Sequence, residues 1–570
     1  MNYIRKFSKT IVFSPGIRKM TGGQIIYKKL QEHNVTDSFI YSGGAIMPLI
    51  DAFYKGSINY YINTHEQNCG HAATAYARVS GKTGIVVCTS GPGLTNSVTP
   101  ILDATNDSTP LIVISGQVPL NAIGSQAFQE APSTSITKSI TKWSHCVKSI
   151  QELPDVMDMA FKIANTGKKG AVHIDIPKCI SSKEINTSAT FGGPDLQQMN
   201  HGSANASQSH ANAFLNRHRA MLDALDFSLK SEVHRRKNYP CIMEIAGFIN
   251  KSKKPILYVG QGCNRSTDEL RKLAIKANIP VTTTIHALGS FDETHPLSLQ
   301  FLGMHGSVVA NKAIQHSDCI ICLGARFDDR TTGNLEKYAP VAMKSGGIIH
   351  CDIEESQIGK IVKTHFPIVS DCKDFINKLL PTIDFKERMD WHAQINQWKS
   401  EHSFNYPKYD NGSINTQMVI EEINKQTPDK ENYIFTTGVG NHQMYASQFI
   451  NWKYPNKFIT SGSLGVMGFG LPAAIGAQIA EPNKKVIDID GDGSFNMTMS
   501  DLKTLRRYNL PVKVAIMNNE TLGMVSVWEN FFFDKRHVAT DNPNNPDYVK
   551  LAESFDIKGI YCDNETELKQ

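Results

Sequence analysis

Apolar positions along this chain gather into short unbroken runs, and the runs alternate with stretches of helical spacing. Runs at 83–89, 110–115 and 171–176 read as buried strands, with 23–33 and 68–80 as helices of the same segment. The alternation returns with strands at Pro255–Val259, Cys319–Leu323 and 347–353. It returns again with a strand opening at Lys485 and another at 512–517. Repeated βαβ units predict parallel sheets covered by helices. The expected fold is therefore α/β, with three doubly wound parallel-sheet segments at 21–180, 239–383 and 413–570. An extension (1–20) precedes them, and linkers (181–238 and 384–412) join them. The first linker holds a polar, low-complexity middle, 200–210, expected to be a solvated insertion rather than a metal-binding histidine tract. The second carries a helical stretch and then a Tyr406-Pro407 break.

Composition narrows this picture only a little. The 570 residues are 41% hydrophobic and 20% charged, which suits sizeable cores. No apolar run approaches the ~20 residues of a membrane helix. The net charge of +5 is small and scattered, and its basic pairs lack interleaved aromatics, so nucleic acid is not an expected partner. Cys319 and Cys322 have ligand-like spacing, but on one strand they point to opposite faces and are expected to be buried thiols. Scattered free cysteines suggest a reducing compartment such as the cytoplasm. Arg5, Lys6, Lys9, Arg18 and Lys19 precede the first acid, Glu32, a bias that also suits organellar import.

The most informative chemistry is in Gly491-Asp492-Gly493-Ser494, at the end of an apolar strand. The next strand ends in Asn518-Asn519, and Asp492 and Asn519 are 27 positions apart (519 − 492). Ligands bind at the carboxyl ends of strands in open parallel sheets. Two oxygen donors there suit Mg²⁺, which shares substrate phosphates. The glycines let a diphosphate come close to the backbone. Gly-Asp-Gly-Ser alone is a weak signal; the following Asn-Asn strengthens it.

Together these residues resemble the signature of thiamine-diphosphate enzymes. The resemblance implies that Asp492, Asn519 and the carbonyl of Thr521 bind Mg²⁺, which holds the cofactor's diphosphate. It also implies a glutamate after an N-terminal strand, and Glu66 in Thr64-His65-Glu66-Gln67-Asn68 fits. Its carboxyl group would share a proton with N1′ of the aminopyrimidine. The plain alternative is a carboxylate in the first turn of a helix.

Further motifs narrow the likeness. Tyr41-Ser42-Gly43-Gly44-Ala45-Ile46, Thr89-Ser90-Gly91-Pro92-Gly93-Leu94-Thr95-Asn96 and Ala127-Phe128-Gln129-Glu130-Ala131 are similar to the acetohydroxyacid synthase (acetolactate synthase) catalytic subunits. So are Phe301-Leu302-Gly303-Met304-His305-Gly306, Gly324-Ala325-Arg326-Phe327-Asp328-Asp329-Arg330 and Ser461-Gly462-Ser463-Leu464-Gly465-Val466-Met467-Gly468. That family has a thiamine-diphosphate-binding fold at each end and a central FAD-binding-type domain. It joins pyruvate, after loss of CO₂, to pyruvate or 2-oxobutyrate, the first common step toward branched-chain amino acids.

By resemblance, Gly44 and Gln129 lie beside Glu66 at the reacting centre, and Phe128, Met524 and Trp528 line the substrate pocket. Asn441, His442, Gly491, Gly493 and Ser494 meet the diphosphate, and Met467 is the wedge beneath the bent cofactor. Gly260, Gly262, Arg326, Arg330, Asp352 and Asp371 are the expected FAD contacts, the arginines otherwise pairing with Asp328 or Asp329. The family also implies a homodimer or homotetramer, with Glu66 and Asp492 of one site supplied by different subunits, and a small regulatory subunit.

Departures are Ser42 where proline is usual, Val527 where glutamine is usual, and no match for one FAD-contacting arginine. Relatives continue past the position of Gln570 with a strand and an arm, so the third sheet is expected to lack an edge strand. Two alternatives stay open at this level: a pyruvate-oxidase-like enzyme, and an inactive paralogue that serves as a scaffold.

Overall fold

A computed structural model describes residues 18–187, 240–408 and 412–570. The low-complexity 200–210 stretch and most of the 1–20 extension lie outside these residues. Three parallel sheets organise the rest. The first runs Asn59–Tyr61, Asp37–Ile40, Gly84–Cys88, Leu111–Gln117, Ala171–Pro177, Trp143–Cys146 in spatial order. The second runs Ser298–Phe301, Val281–Thr283, Pro255–Val259, Cys319–Leu323, Ile348–Asp352, Phe366–Val369. The third has four strands: Phe458–Ile459, Tyr433–Thr437, Lys485–Gly491 and, at its edge, Lys513–Met517. A two-stranded antiparallel ribbon, Arg18–Thr21 with Glu184–Thr187, ties the two ends of the first segment together.

The central strands of the first two sheets are apolar at both odd and even positions, so both faces are covered. Ile85 and Val87 enter one core, while Val86 and Cys88 enter the other. Cys319 and Cys322 are both buried and fall in different cores on opposite faces, as two residues three apart on a strand must. The second face of the first sheet shares its core with the third segment, through Leu471, Ile475 and Phe495. Burying a leucine or isoleucine of this kind contributes about 2 kcal/mol.

That shared core rests on a close helix crossing. Glu66–Ser80 packs on Gly470–Ala480, and a Cβ on Gly476 would stand 1.9 Å from the Ala72 carbonyl oxygen. Only glycine permits this approach.

A second joint involves all three segments. Asp107 is buried, and its carboxylate accepts from Arg78 Nη2 (2.8 Å) and from the backbone N–H groups of Gly462 and Ser463 (3.0 Å each). His286 Nε2 of the middle segment lies 3.1 Å from the same carboxylate. These partners hold the Asp107 carboxyl well below the usual range despite its burial. Neighbouring Asp103 accepts from Ser461 Oγ, and burial and the Asp107 charge push its carboxyl up to about 7.

Candidate active site

The carboxyl ends of the second and third sheets open on one cavity of about 1020 Å³, to which the first segment also contributes. At its third-segment end, Lys485–Gly491 delivers Asp492, 1% exposed, as the first residue of a short helix. The neighbouring strand Lys513–Met517 delivers Asn519 and Thr521. The terminal amide atom of Asn519 lies 3.0 Å from the Thr521 carbonyl oxygen and 3.2 Å from Asp492 Oδ1. Turned one way, this amide donates to both. Turned with its oxygen inward, Asn519 stands from the Thr521 carbonyl oxygen and from Asp492 Oδ1 at the spacing of adjacent ligands around a cation with bonds of about 2.1 Å. The second arrangement leaves no donor among them and is the one a bound cation stabilises.

The glycines of the turn are needed for packing around this point. A Cβ on Gly491 would meet His442 Nδ1 at 2.7 Å, and one on Gly493 would meet Leu522 at 2.7 Å and Met467 Cε at 3.5 Å. Met467 thus sits directly against the Gly-Asp-Gly turn on the cavity wall. Asn441 and His442 open the helix Asn441–Phe449, whose free N–H groups face the cavity and suit an anion. Burial pushes the His442 imidazole down to about 4, so it is neutral at pH 7. Among the described residues its buried Nε2 has no hydrogen-bond partner, and it lies 3.5 Å from Asp490 Oδ1. Ser494 is already engaged: its hydroxyl accepts from Gly468 N at 2.9 Å, bracing the Met467 loop.

At the other end, Asp352 and Asp371 line the cavity. Asp371 caps the helix Cys372–Leu379 through Lys373 N (2.8 Å), and burial pushes Asp352 up to about 6. Gly260 and Gly262 allow a close approach, but the partner is backbone of this chain. A Cβ on Gly260 would lie 2.1 Å from Gly324 O, and one on Gly262 2.8 Å from Gly324 Cα. Arg326 does not pair with Asp328 or Asp329; it donates to Asn106 O (2.8 Å) and Ser463 Oγ (2.6 Å), another link among the segments. The Arg330 guanidinium lies 5.9 Å from the centre of the Trp528 ring, and with Met524 these two form one wall. Lys168, Lys169 and Arg265, which sequence reasoning did not single out, also line the cavity. Burial and the Arg265 charge bring Lys169 down to about 8. Their only sequence signal is the Lys-Lys pair before the strand Ala171–Pro177.

Four expected site residues stand elsewhere. Gly44, Glu66, Phe128 and Gln129 do not line this cavity. Glu66 is the first residue of its helix, 7% exposed, and accepts from Asn96 Nδ2 at 3.0 Å. Gln129, at φ +60°, packs its backbone on Gly91, where a Cβ would meet Gln129 O at 2.8 Å. Phe128 beside it is 89% exposed, and a Cβ on Gly44 would meet nothing within 4 Å. These residues share the carboxyl edge of the first sheet, a second surface separate from the cavity.

Comparison with known proteins matches these segments. Residues 20–136 match the thiamine pyrophosphate enzyme N-terminal TPP binding domain, 242–379 its central domain, and 438–570 its C-terminal TPP binding domain. The chain is 43% identical over 565 residues to the acetolactate synthase catalytic subunit, mitochondrial, of Saccharomyces cerevisiae, covering 96% of this chain and 78% of the relative. It is 38% identical to the acetolactate synthase of Mycobacterium bovis (97% and 85% covered) and to acetolactate synthase 1, chloroplastic, of Zea mays (96% and 82%). With both binding domains in order around the Asp492 cluster, the chain belongs to the thiamine pyrophosphate enzymes and, among them, to the acetolactate synthase family.

Proposed function

We propose that this protein is an acetolactate synthase that decarboxylates pyruvate and joins the remaining two carbons to pyruvate or 2-oxobutyrate. The observation that carries this reading is the convergence of Asp492, Asn519 and the Thr521 carbonyl beside two glycines and a helix N-terminus. Those three oxygens would hold Mg²⁺, and Asn441, neutral His442, Gly491 and Gly493 would receive a diphosphate. Thiamine diphosphate, when bound, supplies the electron sink that lets a 2-oxo acid lose CO₂. The chain's own work is to orient and protonate. Glu66, which accepts from Asn96, would hold the proton at N1′. Met467, packed beside Gly493, would support the cofactor. Met524 and Trp528 bound the acceptor pocket, and Arg330 on the Trp528 face offers a cation to the acceptor carboxylate.

Glu66, Gly44, Gln129 and exposed Phe128 are read as completing the site of a second copy, which makes a homodimer or homotetramer the working assembly. Lys168, Lys169, Arg265 and Arg326, with Asp352 and Asp371, suit the phosphates and hydroxyls of FAD. A regulatory subunit follows from the catalytic-subunit name of the yeast relative. Among the described residues no helix is long and apolar enough to cross a membrane, and two fungal relatives are named mitochondrial, which favours the organelle over the cytoplasm.

Purified protein given pyruvate, thiamine diphosphate and Mg²⁺ is expected to form acetolactate. Acetyl phosphate or peroxide as main product would instead identify an oxidase, and no turnover with cofactor bound would identify an inactive scaffold. Release of FAD on denaturation tests the middle-segment reading.

A further inference from the structure

The Asp492 carboxylate divides its two oxygens between different neighbours. Oδ1 faces the Asn519 amide at 3.2 Å, and that amide lies 3.0 Å from the Thr521 carbonyl oxygen. Oδ2 accepts two amide donors from a distant loop, Asn545 Nδ2 at 2.8 Å and Asn542 Nδ2 at 3.0 Å. Asn545 is itself held in orientation. Its Nδ2 also donates to Asn518 Oδ1 (2.9 Å), and its Oδ1 accepts from Asn496 Nδ2 (2.8 Å) and Asn542 Nδ2 (3.3 Å). Asn496 is fixed in turn by the Tyr548 hydroxyl (2.9 Å), and the Tyr548 ring meets Phe495 edge-on at 5.7 Å. The amides of Asn542 and Asn545 both end on Asp492 Oδ2, and Asn496 and Tyr548 brace Asn545 from behind.

An ionised carboxylate can present either oxygen by turning about its Cβ–Cγ bond. Two donors fixed on Oδ2 select one rotamer and leave Oδ1 as the oxygen available to a cation. We propose that Asn545, assisted by Asn542, is a positioning residue that orients Asp492 for Mg²⁺. The proposal rests on reading Asp492 as a Mg²⁺ ligand. It differs from a folding role because the two amides act on one oxygen of one ligand. Partners behind a metal ligand typically govern metal affinity by about 10- to 100-fold.

The test is calorimetric titration of the full-length protein with Mg²⁺, and separately with Ca²⁺, in the presence of thiamine diphosphate. Asn545→Ala is expected to weaken Mg²⁺ binding about tenfold. It should weaken Ca²⁺ binding less, because Ca²⁺ tolerates irregular ligand geometry. The Mg²⁺ concentration for half-maximal acetolactate formation should rise in step, while kcat at saturating Mg²⁺ falls far less. Asn542→Ala removes a single donor and is expected to give a smaller shift in the same direction, which keeps the test open should Asn545→Ala fold poorly. Unchanged Mg²⁺ affinity in both variants, or equal losses for Mg²⁺ and Ca²⁺, overturns the proposal. Asp492→Asn is the control: if it binds Mg²⁺ as the wild type does, the metal reading itself falls, and the proposal with it.

Discussion

At the carboxyl edge of the third sheet, Asp492 has its surroundings supplied by its own chain: two amide donors, a facing Asn519 and Thr521, and glycines fitted against His442, Leu522 and Met467. At the corresponding edge of the first sheet, Glu66 has Asn96, Gly44 faces open space, and Phe128 stands in solvent. Both edges come from the same kind of parallel sheet, and both place an acid beyond a strand end. One edge is closely packed around its acid; the other buries Glu66 but leaves Gly44 and Phe128 uncovered. Under the proposed function the difference assigns binding and chemistry to separate parts of the chain, so a substitution should injure one and spare the other.

Glu66→Gln gives the sharpest break. Its turnover is expected to fall about 10²- to 10⁴-fold, the usual scale for losing a proton-transfer group. Thiamine diphosphate affinity, followed by fluorescence titration, should change much less. Asp492→Asn should do the reverse, weakening Mg²⁺-dependent cofactor binding about a hundredfold, or about 3 kcal/mol. Equal effects of both changes on binding would dissolve the distinction. Gly491→Ala probes how tightly the third-sheet edge is fitted. The added methyl group meets His442 and should cost about 1–3 kcal/mol in urea unfolding; an unchanged midpoint would mean that the wall yields freely.

A smaller effect concerns the joint behind the cavity. Asp103 is pushed up to about 7 in the folded protein against an ordinary value near 3.8, so the folded state holds the extra proton between those values. Stability therefore declines as pH rises from about 4 to about 7, by an amount of order 1 kcal/mol or more. Asp103→Asn removes that slope. Its melting temperature should gain on the wild type across the same window, and parallel pH profiles would refute the assignment.

Much of this was legible before any coordinates. Unbroken apolar runs marked the central strands to within about one or two residues, as at 83–89 against the observed Gly84–Cys88, because a strand buried on both faces has no polar alternation to blur it; less apolar edge strands such as Asn59–Tyr61 and Trp143–Cys146 gave no such run. The meeting of Asp492 and Asn519 followed from adjacent strands of one βαβ unit. Long-range pairings were not legible. The ribbon of Arg18–Thr21 with Glu184–Thr187 joins segments whose local sequence gives no sign of each other. Asn542 and Asn545 read as ordinary loop asparagines, since nothing local marks them as partners of a carboxylate 50 and 53 residues earlier. Gly260 and Gly262 were legible as a close-approach turn on the cavity wall, but not that their near neighbour is the Gly324 backbone. A sequence reveals that a position must be glycine more readily than it reveals what the missing side chain makes room for.

The Asp107 joint has a mechanical consequence. One carboxylate is shared by Arg78 of the first segment, His286 of the second and the Gly462-Ser463 backbone of the third. No segment can swing away from the others without stripping partners from a buried charge, a loss of several kcal/mol. The joint therefore braces the three segments around the cavity. Parting them to admit a bulky ligand carries that penalty, whereas a shift of a wall outside the joint, such as the helix Gly523–Phe532, leaves the Asp107 contacts intact.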